Sequence, residues 1–126
     1  MAIQDELKDA LISAQTVEPG VVSIEFQYPP AFTGFQGHFP GDPILPGVCL
    51  LQSLRIGLEQ AWQMPLRLAE VVNAKFIMPA RPGEKLLYTV RESARADGVI
   101  STKTKVTCNG ERVAEFSVKL EEISVS

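Results

Sequence analysis

One stretch of the chain concentrates the residue types that do chemistry. The segment Phe35-Gln36-Gly37-His38-Phe39-Pro40-Gly41-Asp42-Pro43-Ile44-Leu45-Pro46-Gly47-Val48 contains the only histidine, set among three prolines and three glycines. An imidazole titrates nearer neutrality than any other side chain, which suits it to accept a proton. A loop stiffened by proline and glycine can hold that ring in one orientation, as general acid–base catalysis needs. Immediately downstream, Gly47-Val48 opens a long apolar segment of helical character. A helix N-terminus offers unpaired backbone N–H groups and the positive end of its dipole. A base beside such donors suits proton abstraction next to a carbonyl. Taken alone, a histidine in a turn-rich loop is an ordinary surface or packing residue, so the residues around it must carry the case.

Other chemistries find little support. Cys49 and Cys108 are the only thiols, both inside apolar segments, and neither has a partner at metal-ligand spacing. Reduced, buried cysteines are expected, with no metal site and no cofactor. Twelve Lys and Arg against fifteen Asp and Glu give a net charge of −3. No basic excess or basic stripe is visible, so no nucleic-acid partner is expected. The 126 residues suit one domain. No apolar run approaches a membrane span, and the acidic start, Met1 to Ala10, lacks a signal-like apolar region. A soluble cytoplasmic protein is the expectation.

The elements that must position the loop follow from periodicity. Ile3, Leu7, Ala10, Leu11 and Ala14 recur at helical spacing and predict a short amphipathic helix over 1–14. Pro19-Gly20 marks a turn before a strand from Val21 to Tyr28. Residues 29–47 hold five prolines and four glycines, too many for regular structure, and read as the active-site loop. Residues 48–64 are helical and apolar over most of the circumference, with Gln52, Arg55, Glu59 and Gln63 forming one polar stripe. Strands are expected at Arg67–Met78, Lys85–Ala96, Val99–Thr107 and Arg112–Glu122. Asp97-Gly98 and Asn109-Gly110 between them are signals for two-residue hairpin turns. The fold class is therefore α+β, one long central helix wrapped by an antiparallel sheet in a single domain over 1–126.

The run Gly37-His38-Phe39-Pro40-Gly41-Asp42-Pro43-Ile44-Leu45-Pro46-Gly47-Val48 closely resembles the G-H-F-P-G-x-P-x-x-P-G-V signature of the β-hydroxyacyl-acyl-carrier-protein dehydratases, the FabA/FabZ type. Lys75-Phe76 and Pro79-Ala80-Arg81-Pro82-Gly83-Glu84 resemble that family's K-F-x-x-P-x-x-P-G-[DE] segment, and Asn109 to Glu115 its closing hairpin. The resemblance covers roughly residues 32–120. It implies a hot-dog fold, dimers paired edge to edge, and sites built from two subunits. It also implies removal of water from (3R)-3-hydroxyacyl thioesters on acyl carrier protein or coenzyme A. Carried over by position, His38 is the base and the Gly47 amide holds the thioester oxygen, while Phe39 and Val48 line the cavity.

Two positions depart from the pattern. The family's acid lies five residues after the P-G glycine, where this chain has Gln52, and a second polar residue of the family is replaced by Ile56. Both fall on the helix face that the resemblance turns toward the substrate. The opening H-R-Y-P-F-L-L-V-D-R stretch is also missing. A carboxamide can donate and accept hydrogen bonds but cannot usefully release a proton. Neither Glu59, two turns further along the helix, nor Asp42, a turn former before proline, replaces the carboxyl. Gln52→Glu is expected to preserve or raise dehydratase turnover. The first alternative is an acyl-thioester-binding subunit that pairs, as a heterodimer, with a related chain supplying the carboxylate. The second is a hot-dog thioesterase, disfavoured because that reaction needs a helix carboxylate. Arg67, Arg81 and Lys85 could meet an acidic carrier, although scattered surface charge explains them as well.

Overall fold

A computed structural model describes residues 3–35 and 44–123. Among these, α1 spans Ile3–Ala10, β1 Leu11–Glu18, β2 Val21–Gln27, α2 Gly47–Trp62, β3 Leu66–Phe76, β4 Lys85–Ala96, β5 Val99–Cys108 and β6 Glu111–Glu122. A single turn of 3-10 helix occupies Thr33–Phe35. The six strands form one antiparallel sheet in the order β1-β2-β4-β5-β6-β3.

That order forces the shape. Helix α2 joins β2, second in the sheet, to β3 at its far edge, so the helix must cross one face of the sheet. Bulges in the β1–β2, β3–β6, β4–β5 and β5–β6 pairings let the strands bend around it. The inner face is apolar at every second residue: Leu86, Tyr88 and Val90 on β4, then Ala114, Phe116, Val118 and Leu120 on β6. Leu50, Leu54 and Leu58 of α2 are buried against this face. This is the α+β hot-dog arrangement that the resemblance implies.

Most boundaries fall where the sequence places them. Strand β4 coincides, and the other predicted strands and α2 shift by at most two residues. Asp97 and Gly98 have φ of 54° and 77°, and Asn109 and Gly110 have 52° and 82°, as type I′ turns require. The N-terminus needs a correction. The helix expected over 1–14 ends at Ala10, and 11–14 open β1, paired with β2 from Leu11↔Phe26 onward. Leu11 and Ala14 sit at helical spacing from Leu7, yet β2 offers them a ladder, and tertiary pairing overrides the local period. The polar stripe is also one residue shorter, because Gln63 leaves the helix in left-handed geometry (φ 53°) just before Met64-Pro65.

Candidate active site

His38, Phe39 and Asp42 lie outside the described residues; the chain before and after them is held by contacts of its own. Upstream, Tyr28 stacks on Phe32 at 5.4 Å between ring centroids, and Phe32 meets Phe35 edge-on at 5.7 Å, all three buried. Glu6 of α1 clamps the same stretch, its Oε1 accepting from both N and Oγ1 of Thr33 at 3.1 Å. Downstream, Leu45 is buried and its N–H donates to Ala80 O at 2.8 Å. The Pro79–Glu84 loop is tied to the end of β2 in turn: Gly83 N–H donates to Tyr28 O, and Gln27 Nε2 to Gly83 O, each at 2.9 Å.

Helix α2 begins at the end of this loop. Pro46 caps it in extended geometry without a side-chain hydrogen bond, and the N–H groups of Cys49 and Leu50 close onto Pro46 O at 3.0 and 3.4 Å. The N–H groups of Gly47 and Val48 precede these bonds, so they are the helix's donors toward the outside. The Phe76 ring lies over Gly47, where a Cβ would come within 2.5 Å of its Cζ. A cleft of about 350 Å³ opens here, lined by Leu45, Pro46, Gly47, Leu50, Phe76 and Met78 among others. Its lining side chains are all apolar, and Gly47, the first residue of α2, forms part of its wall, so the cleft suits an apolar chain.

Of the other predicted site residues that are described, Val48, Gln52 and Ile56 do not line this cleft. Val48 is 62% exposed on the outer side of the helix. Ile56 is buried and borders a separate hollow with Leu11, Glu59 and Met64. Gln52 follows Gly47 by five residues, which rotates it about 140° around the axis and carries it roughly 7.5 Å along. Its side chain is half-buried, and its Oε1 accepts from Arg55 Nε at 2.7 Å. Arg55 Nη1 donates to Glu59 Oε1 at 2.8 Å, and Glu59 Oε2 accepts from Leu66 N–H at 2.8 Å. Both oxygens of Glu59 are thus engaged, which removes the nearest helix carboxylate as a proton donor.

Beneath the helix, Ser53 donates to Cys49 O at 2.7 Å and shares a short hydrogen bond with the Tyr28 hydroxyl. Tyr88 lies 3.3 Å from both Tyr28 Oη and Leu50 O. Burial pushes both phenols far above their ordinary range, so they act as neutral struts under the first turns of α2. Phe76, Leu50 and Arg55 were not singled out from sequence for the site. Phe76 stood inside a matched motif, and the i, i+3 and i, i+4 spacing of Gln52, Arg55 and Glu59 already allowed their pairing.

Comparison with known proteins extends these findings. Residues 14–114 match the model of the ApeI-like family, described as ApeI dehydratase. The chain is 33% identical over 91 residues to the 3-hydroxyacyl-[acyl-carrier-protein] dehydratase FabZ of Wolbachia sp. subsp. Drosophila simulans, covering 67% of this chain and 64% of that one. It is 34% identical over 98 residues to the FabZ of Desulfotalea psychrophila, covering 66% and 65%. The chain therefore spans a little under two-thirds of the length of these relatives. Among solved structures, a chain of the dehydratase heterocomplex ApeI:P from Xenorhabdus doucetiae superposes with a TM-score of 0.70 at 20% identity, covering 88% of this chain and 96% of that one. The E. coli PaaI protein superposes with a TM-score of 0.68 at 13% identity, covering 94% and 88%.

Proposed function

From the chain's place in the ApeI-like dehydratase family, to which it belongs, we propose that it dehydrates (3R)-3-hydroxyacyl thioesters to trans-2-enoyl thioesters. The observation that carries this is the apolar cleft at the N-terminus of α2, lined by Ile44, Leu45, Pro46 and Gly47, which follow the histidine segment in the sequence. In this reading the Gly47 N–H holds the thioester oxygen, which acidifies the α-carbon. His38 removes the α-proton, the C–H pair becomes the new π bond, and the C3–O bond breaks toward oxygen. The proton returns from His38 to that oxygen as water leaves, so no carboxylic acid is required. Phe39 and Val48 border the acyl path, Gln52 faces it from the helix, Ile56 is turned to the separate hollow beside Leu11, and no cofactor takes part. The FabZ names point to acyl carrier protein as the thiol carrier, with coenzyme A the other candidate.

The site needs two chains in this proposal. Gly47 and Gln52 lie about 140° apart around their own helix, and Val48, exposed, can wall a tunnel only where another surface meets it. A homodimer satisfies both conditions. A specific observation favours a second version, pairing with a related chain that carries a carboxylate: Glu59 is fully engaged and position 52 is an amide. The test is a dehydration assay on the purified chain alone, following enoyl thioester by mass spectrometry. Turnover is expected, falling about 10²–10⁴-fold in His38→Ala. A well-folded chain without turnover defeats the homodimeric dehydratase and leaves the version paired with a related, carboxylate-bearing chain.

A further inference from the structure

Arg55 is a largely buried guanidinium, its side chain 12% exposed, lying along α2 between Gln52 and Glu59. A guanidinium only donates, so the carboxamide atom facing Arg55 Nε at 2.7 Å must be the oxygen. Glu59 fixes the guanidinium from the far side at 2.8 Å and is itself anchored on Leu66 N–H, the first residue of β3. The chain Leu66–Glu59–Arg55–Gln52 therefore runs from a strand to a single amide and removes that amide's freedom to flip.

We propose that Arg55, braced by Glu59, is a positioning residue that presents the NH₂ end of Gln52 to the substrate and bars a carboxylic acid from position 52. The proposal rests on the dehydratase reading above and gives Gln52 a definite task within it. The C3 hydroxyl leaves with the electron pair of its C–O bond, and its oxygen gains negative charge as it departs. A fixed N–H donor stabilises that charge and transfers no proton, while the α-proton carried by His38 completes the water. A carboxyl at position 52 would meet Arg55 Nε instead and form a charge-assisted pair. An adjacent Arg lowers a carboxyl by about 1–3 pH units, so the group would be ionised at neutrality and unable to donate. Gln52→Glu, conservative by family pattern, is then harmful in this chain.

The test follows the carboxyl carbon of residue 52 by ¹³C NMR in Gln52→Glu and in Gln52→Glu/Arg55→Met. The midpoint is expected at least about one pH unit lower with Arg55 present; equal midpoints overturn the proposal. In the dehydration assay at pH 7, Gln52→Glu is expected to be about tenfold or more slower than the unaltered chain, and Arg55→Met to recover part of that loss. A Gln52→Glu chain as fast as the unaltered one also overturns it. Should the double variant not fold, exchange of the Arg55 Nε–H with solvent decides. It is expected to be slow in the unaltered chain and faster in Gln52→Leu, and no difference counts against the pairing. Absence of turnover in the unaltered chain defeats the dehydratase reading alone, because the NMR measurements report the Arg55–Gln52 pairing without it.

Discussion

Cys49 is the third residue of α2, where a helix N-terminus would ordinarily stabilise a thiolate. It is buried, however, and burial pushes its thiol up. Cys108 is pushed up too, first by burial and then by the Glu84 carboxylate. Both thiols should resist iodoacetamide at pH 8 in the folded chain and react quickly in denaturant; fast native labelling of Cys49 would mean that the helix dipole wins. The sign for stability follows. A thiol raised above its unfolded value holds its contribution below about pH 8.5 and loses it as the pH climbs through the folded value. At this scale sequence reading succeeds for residues whose burial follows from apolar neighbours, as with these cysteines. It is weaker for Arg55, whose spacing shows which residues it can reach but not that the guanidinium would be buried against an amide.

At the scale of the element, α2 is bounded by chemistry visible in the chain: Pro46 at its start, Met64-Pro65 after its end, and no proline between. What could not be read is how closely it approaches the sheet. Gly57 lies against Ile24 of β2, where an added Cβ would stand 2.6 Å from Ile24 Cδ1 and Cγ2. Gly57→Ala should therefore cost about 1–3 kcal/mol by overpacking, even though alanine is the better helix former. The denaturation midpoint measures this, and in an Ile24→Ala background the same substitution should cost little. An unchanged midpoint in the single variant would show that helix and sheet separate freely. The sheet carries a similar lesson. Register brings Lys75, Arg91, Lys103 and Lys105, dispersed in sequence, to one groove on its outer face, with Glu115 among them. The absence of a basic stripe in the linear sequence did not foretell that patch. The early end of α1 has the same origin, since pairing with β2, rather than residue period, decides the conformation of 11–14.

For the whole molecule, the sheet order leaves β3 at an edge, and a group of exposed apolar residues lies there. Val71, Val72, Phe76 and Ile77 are all exposed, Val72 by 54% and Phe76 by 53%. A long edge strand with apolar side chains is a liability in a lone chain and an asset where another sheet joins it. Phe76 links that edge to the cleft, since its ring lies over Gly47. The motif names Gly47 and position 52 as one site, whereas the helix turns them about 140° apart. A site shared between chains reconciles the two, and mixing tests it directly. His38→Ala and Gln52→Leu chains, each impaired alone, would be unfolded together and refolded at equal concentration. If His38 of one chain works with Gln52 of another, half of the random dimers carry one intact site. Activity should then rise to about a quarter of that of the unaltered homodimer. If both residues serve the same chain's site, every mixed dimer still has one defect per site, and the mixture stays at the average of its impaired parents. The first result would place catalysis at the junction between chains, with β3 the edge at which to look for it.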